Sequence, residues 1–292
     1  MSGPNPSKES FLSSELRDRI ASHTWYHTID LGNGIVTPGY YDLRQVVGDF
    51  PWPDLKGKRC LDVGTFDGFL AFEMEKRGAA EVVALDVEDY DSLDWLPRRK
   101  ATGAKELAEQ IGPERGKGFK IAREALSSKV ERLPMNVYDL HPDKVGMFDL
   151  VLCGSILTHL RDPIRALERI RGVCADHLLA TEGADPWLSI RHPKRALFEL
   201  KGEQDQWFVQ NREGLRRMLH VAGWKIERES KPFSLDYGPG YIGDRSVKGL
   251  LKQARRAGWK RGGSTLRRAA LAKVTTGRIG PSHIAVLARP DL

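Results

Sequence analysis

Residues 60–86 read CLDVGTFDGFLAFEMEKRGAAEVVALD. An apolar run meets a turn bounded by Gly64 and Gly68, an amphipathic stretch follows, and a second apolar run, EVVALD, ends on Asp86. That order predicts a buried strand over 59–63, a helix over 68–77 and a second strand over 81–86. Near-continuous apolar strands joined by a helix belong in a parallel sheet covered on both faces. In such a unit the first turn brings backbone close to a ligand, and an acid at the second strand tip accepts hydrogen bonds from ribose hydroxyls. An adenosine-bearing cofactor is therefore expected at Gly64, Gly68 and Asp86.

The turn narrows the choice. A dinucleotide fingerprint, G-x-G-x-x-G, seats pyrophosphate on a helix N-terminus. Here the spacing is Gly64-x-x-x-Gly68, with Thr65 and Phe66 inside it. Phe66 stands where a middle glycine would and leaves little room for a diphosphate, which argues against a nicotinamide-dependent oxidoreductase. S-adenosylmethionine has no phosphates. Asp62, at the strand end, is placed to hold the ammonium of its amino-acid tail, directly or through water. The bland alternative is a strand, turn and helix that bind nothing.

Outward from this unit the alternation continues. Helices are expected near 104–111 and over 119–128, 163–172 and 212–222, and strands near 130–137 and over 148–153, 177–182, 224–230 and 282–289. The last two strands lack an obvious crossover and are expected to pair antiparallel. Ahead of the core, residues 11–22 read as a helix, 41–48 as a second helical stretch, and TWYHTIDLGNGIVTPGYYD as a loop or hairpin around Gly32-Asn33-Gly34. The division expected is an N-terminal helix and aromatic lid segment (1–54), a core (55–230), a basic insertion (231–281) and a last core strand (282–292).

Open α/β sheets bind ligands beyond the carboxyl ends of their strands. Four such ends carry suggestive groups: the turn after the first strand; Asp86; Tyr138 and Asp139, placed for an adenine ring and its amine; and Gly154, with His159 one turn further. Glu182 closes the fifth strand as a pocket carboxylate.

Composition sets bounds. A chain of 292 residues with 40% apolar content supports one large core plus an appendage. No apolar run reaches the roughly 18–20 residues of a membrane span, and the polar N-terminus shows no signal-peptide apolar region. Cys60, Cys153 and Cys174 have neither metal-ligand nor disulfide-framework spacing. A reduced, cytoplasmic location is the default expectation. The net charge of +7 is uneven: Arg245 to Pro290 contains no acidic residue. Such a run is a footprint for phosphates, including tRNA through residues 245–280, or a solvated surface.

The blocks LDVGTFDGFLAFEMEKRGAAEVVALD (61–86), FDLVLCGSILTHLRDPIRALERIR (148–171) and WFVQNREGLRRMLHVAGW (207–224), with Trp25-Tyr26-His27 and GNGIVTPG (32–39), resemble the class I S-adenosylmethionine-dependent methyltransferases. Within them the chain looks like the branch that includes tRNA wobble-uridine (5-hydroxyuridine) methyl- and carboxymethyltransferases. The resemblance implies a Rossmann-like, doubly wound, mostly parallel seven-stranded sheet with a C-terminal antiparallel hairpin. It also implies S-adenosylmethionine as cofactor, held by Asp62, Gly64, Thr65, Phe66, Gly68, Asp86, Tyr138, Asp139 and Gly154. Two departures stand out. Thr65 and Phe66 replace the usual small central residues of the turn, and Thr158 stands where the carboxymethylating enzymes carry a tyrosine before the histidine. The second favours ordinary methyl transfer.

Such transfer is an in-line displacement driven largely by alignment in a dehydrated pocket, with a general base useful for hydroxyl acceptors. His159 is the first candidate base and His27 the second. Trp25 and Tyr26 are candidates to stack on a planar acceptor, with Glu182, Trp207 and Asn211 lining the acceptor side; Asn211 also suits a helix cap. Asp67 and Glu88 read as local or solvated. The expected acceptor is an oxygen or nitrogen of a small metabolite, glycan or lipid headgroup. The alternatives are a tRNA wobble uridine and a cofactor-binding module without catalysis.

Overall fold

The computed structural model describes residues 6–203, 205–241, 273, 276 and 280–291. The basic stretch 245–280, expected to bind RNA or cover the site, therefore lies outside the described residues except at Lys273, Thr276 and Gly280.

In chain order the elements are α1 (Pro6–Ala21), β1 (Tyr41–Asp42), β2 (Arg59–Val63), α2 (Phe69–Lys76), β3 (Glu81–Asp86), α3 (Gly103–Ile111), α4 (Lys117–Ala125), β4 (Glu131–Pro134), α5 (Pro142–Val145), β5 (Phe148–Gly154), α6 (Pro163–Val173), β6 (Cys174–Gly183), α7 (Pro186–Arg191), β7 (Phe198–Glu203), β8 (Gln206–Gln210), α8 (Arg212–Val221), β9 (Trp224–Glu229), β10 (Phe233–Ser234), β11 (Asp236–Tyr237) and β12 (Ser282–Pro290). The main sheet runs β4-β3-β2-β5-β6-β12, and β9 and β10 both pair with β12 on its far side. The β2, β3, β4, β5 and β6 ladders are parallel, whereas β12 is antiparallel to β6, β9 and β10. This is a Rossmann-like, mostly parallel sheet of seven positions with an antiparallel end. The seventh position is filled by two short pieces, β9 and β10.

Period-two alternation puts successive strand residues into opposite layers. Cys60, Leu152 and Leu179 face a layer that holds Trp25, Phe69, Phe72 and Phe119. Leu61, Cys153 and Ala180 face one that holds Leu157, Leu167, Leu215 and Trp224. The three cysteines are buried free thiols.

Expectation and structure part in several places. Residues 41–48 are not a helix: Tyr41 and Asp42 pair with Tyr237 and Asp236, and a 3-10 turn follows at Val47–Asp49. A pairing partner nearly two hundred residues away overrides local propensity here. Residues 233–237, assigned above to the basic insertion, instead form β10 and β11. The β7–β8 hairpin, with Phe198 opposite Gln210, was not anticipated. The turn at Gly32-Asn33-Gly34 is as expected: Leu31 N–H donates to Ile35 O, and all three residues have positive φ.

Through the β1–β11 pairing and a bridge between His27 and Tyr41, the N-terminal segment is tied to the segment after β10. No helix of the described residues is long and apolar enough to cross a membrane.

Candidate functional site

The turn between β2 and α2 is built by close approach. Gly64 has φ +80°, and a Cβ there would stand 2.4 Å from the Ile156 side chain beyond β5. Gly68 has φ +91°, and a Cβ there would strike the Phe72 and Phe119 rings. Between them Phe66 adopts φ 50° without being glycine, a conformation costing about 1–2 kcal/mol. Its N–H donates to Asp86 Oδ2 at 3.0 Å, which offsets that strain.

Asp62, 2% exposed, ends β2 beneath this turn. Burial pushes its carboxyl up to about 7, opposed by the Thr65 hydroxyl and reinforced by the charge of Asp86. Asp86 ends β3. It accepts from Arg115 at 2.6 Å, from Val87 N–H at 2.8 Å and from Phe66 N–H. A carboxylate offers about four lone-pair sites, so about one remains for a further donor. Arg115 lies against the Phe66 and Tyr90 rings, 5.6 and 5.2 Å from their centroids, and donates to Val87 O.

The N-terminal segment is pinned to the turn. Asp67 Oδ2 accepts from Tyr26 N–H at 2.7 Å and His27 N–H at 3.1 Å. Asp67 is 2% exposed, which corrects its reading as a solvated or merely local group. Tyr26 stacks obliquely on Phe66 at 4.8 Å and meets Tyr41 edge-on at 5.3 Å. Tyr41, Tyr237, Tyr241 and Tyr40 continue this aromatic wall, with Tyr237 and Tyr241 stacked at 4.0 Å. His27 is buried between Phe66 and Phe69, and burial pushes its imidazole down to about 4.

On the β6 side, Glu182 is fully buried. Its Oε1 accepts from Ile156 N–H and Leu157 N–H, each at 2.9 Å, and burial pushes its carboxyl up to about 8. The electrostatic fields of both Asp67 and Glu182 reach the Tyr26 phenol. Turn, acids and lid thus meet over the carboxyl ends of β2, β3 and β6.

Residues 61–177 match the family model described as a methyltransferase domain. This stretch is a methyltransferase domain.

Relatives of this methyltransferase domain include the tRNA U34 carboxymethyltransferase of Campylobacter hominis, 27% identical over 123 residues, 41% of this chain and 34% of that one. The ubiquinone biosynthesis O-methyltransferase of Hahella chejuensis is 29% identical over 152 residues, 51% of each. The chain thus spans between about a third and a half of these curated relatives' lengths. A solved S-adenosylmethionine-dependent methyltransferase from Mesorhizobium loti aligns with a TM-score of 0.42 and 14% identity, over 82% of this chain and 93% of that one.

S-adenosylmethionine is the cofactor of the methyltransferase domain, and the donor set fits it. The bare Cα of Gly64 lets the turn close onto Ile156, where a Cβ would clash. Asp62 suits an ammonium, and the open site on Asp86 suits a ribose hydroxyl.

The other expected site residues have the following surroundings. The Tyr138 hydroxyl donates to Asp94 at 2.6 Å and accepts from Asp162 N–H, and Arg165 lies over its ring. Asp139 is exposed. Asn136, missed in the sequence, sits at the tip beyond β4, where its Oδ1 caps the turn through Tyr138 N–H and its Nδ2 reaches Ser92 O. Gly154 is required by packing, since a Cβ would stand 2.2 Å from Thr181.

Trp25 is a core residue, 2% exposed, its indole N–H on Ile20 O, and it stacks on no acceptor. His159 is exposed, with Nδ1 on Asp205 O at the β7–β8 turn, so the first candidate base is tied to the hairpin. Trp207 donates to Asp94 O. Asn211 is fully buried and does not line the acceptor side. It caps α8 through Gly214 N–H, accepts from Leu197 N–H, and donates to His192 O and Arg195 O. Glu88 pairs with Arg132 on the surface, as read. Arg115 escaped sequence reading because nothing local marks it; its role comes from a partner 29 residues away.

Proposed function

We propose that the protein moves the methyl group of S-adenosylmethionine to an oxygen or nitrogen of a small-molecule acceptor. The observation that carries this reading is the meeting of Gly64, Asp62 and Asp86 with an aromatic lid anchored on Asp67. When bound, the cofactor supplies a methyl on a positively charged sulfur. The chain's part is to align and to dehydrate. Asp62 holds the tail ammonium, Asp86 the ribose, Phe66 and Tyr26 exclude water, and the tyrosine wall gives a planar or apolar acceptor a surface. Orientation of this kind is worth up to about 7–11 kcal/mol.

A tRNA wobble base is the second reading, favoured by the likeness to tRNA U34 carboxymethyltransferases. It would use the basic stretch 245–280. Incubation with methyl-labelled S-adenosylmethionine and a cell extract divided into RNA and small-molecule fractions separates the two. Label in small molecules, with turnover little changed by salt, is expected. Label in RNA, with affinity falling steeply as salt rises, would replace the first reading with the second. Thermal protection by S-adenosylhomocysteine but not by NAD is expected as well. Protection with no label in any fraction would leave a binding module.

A further inference from the structure

Glu182 is held more elaborately than a loop anchor needs. Oε1 alone accepts both N–H groups of the turn beyond β5. Oε2 is buried and has no hydrogen-bond partner among the described residues. A buried carboxyl oxygen left unpaired costs about 1–3 kcal/mol or more, so a partner arriving with the ligand is the physical expectation. Gln210 presents the same pattern. It is fully buried, its backbone bridges Ala184 two residues beyond Glu182, and neither atom of its amide has a partner among the described residues.

The surroundings are those of a base. The lid contributes the Tyr26 phenol, and β5 contributes the Cys153 thiol, which feels both Glu182 and Asp62. From β12 comes His283, whose Nε2 lies beside Gly183; burial pushes its imidazole down to about 4, so it is neutral. Burial raises the Glu182 carboxyl, and its two backbone N–H bonds oppose that rise.

We propose that Glu182 Oε2 takes the hydrogen of an acceptor hydroxyl, with the Gln210 amide steadying the acceptor, so that the methylated atom is oxygen rather than nitrogen. This rests on the methyl-transfer reading above. A neutral amine attacks through a free lone pair and needs no prior proton removal, whereas a hydroxyl gains about 10²–10⁴-fold from a positioned base. The step balances. The hydroxyl hydrogen passes to Oε2, the acceptor oxygen bonds to the methyl carbon, and the broken carbon–sulfur bond leaves its electron pair on sulfur as a neutral thioether. Because burial holds the carboxyl at about 8, the base form accumulates as pH rises through that value.

The test compares wild type with Glu182→Gln, which keeps one oxygen for the Ile156 and Leu157 N–H groups. The probe is methyl-labelled S-adenosylmethionine with the small-molecule fraction of a cell extract, over about pH 6–9, a range chosen to bracket a base. Wild-type transfer is expected to rise through about pH 8. E182Q is expected to be at least about 100-fold slower and flat with pH, while calorimetry shows an unchanged S-adenosylhomocysteine dissociation constant. Carbon NMR of the labelled product should place the methyl on oxygen. An E182Q rate and pH profile like wild type, or a methyl on nitrogen, overturns the assignment. An E182Q that also loses S-adenosylhomocysteine binding marks a structural role and overturns it too. If wild type binds S-adenosylhomocysteine but labels nothing, methyl transfer itself falls, and this inference with it. Should E182Q not fold, wild-type transfer that is independent of pH and unchanged in D2O overturns the assignment on its own.

Discussion

Asp86 carries two loads that a single substitution separates. It is the open acceptor expected to meet a ribose hydroxyl, and it neutralises Arg115, whose side chain is 6% exposed. Asp86→Ala should weaken S-adenosylhomocysteine binding by about 1–3 kcal/mol, read by calorimetry. It should also lower unfolding stability by about 3–5 kcal/mol, because the guanidinium stays buried without its carboxylate. Urea titration would check that loss. Binding that survives unchanged in a folded variant would remove Asp86 from the cofactor site. The sequence displayed Asp62, Gly64, Asp86 and Glu182 because each closes or follows an apolar strand, and strand tips in such sheets face ligands. It did not display Asp67 or Arg115, whose significance depends on lid amides and a strand tip far along the chain. Nor did it display the contacts of Tyr138, a residue at a strand tip whose hydroxyl is engaged by Asp94 and Asp162.

Strands and helices of the core were legible because their apolar residues follow periods of 2 and 3.6; β2 and β3 fall at 59–63 and 81–86 as expected. The β7–β8 hairpin was not: the alternation in FELKGE lasts only from Phe198 to Lys201, and its Leu200 is 84% exposed rather than core-facing. Its anchor is Asn211, which caps α8 through Gly214 N–H and makes three more side-chain hydrogen bonds to residues 192–197. Asn211→Ala removes a cap worth about 0.5–2 kcal/mol and strands buried partners, for a total loss of about 2–4 kcal/mol in urea unfolding. The lid answers to Asp67. In Asp67→Ala the amides of Tyr26 and His27 lose their acceptor, and hydrogen exchange across 26–41 is expected to quicken without comparable change in β2. Equal protection in the variant would show that the β1–β11 pairing alone holds the lid.

Across the molecule, buried titratable groups pull stability in opposite directions with pH. His27 and His283 fall from 6.5 to about 4 on folding, so the unfolded chain gains protons that the fold refuses, and they erode stability as pH drops from about 6.5 towards 4. Asp62 rises from 3.8 to about 7 and Glu182 from 4.5 to about 8. The fold keeps protons that the unfolded chain has lost, so these two erode stability as pH climbs through those windows. Between about pH 4.5 and 6.5 two protons oppose two, and the melting temperature should be nearly level; from about 6.5 to 8 it should fall. Glu182→Gln should flatten that decline, and scanning calorimetry at several pH values would show whether it does. One further consequence follows from β12. It lies between β6 and β9 in space but is made after every other strand described, and Ile284 is the register partner of Glu182. Until residues 282–290 have been made, Ala180 to Gly183 therefore lack their partner on that side. The strand that flanks Glu182 is thus the last of the described strands to be made, and this side of the sheet closes last.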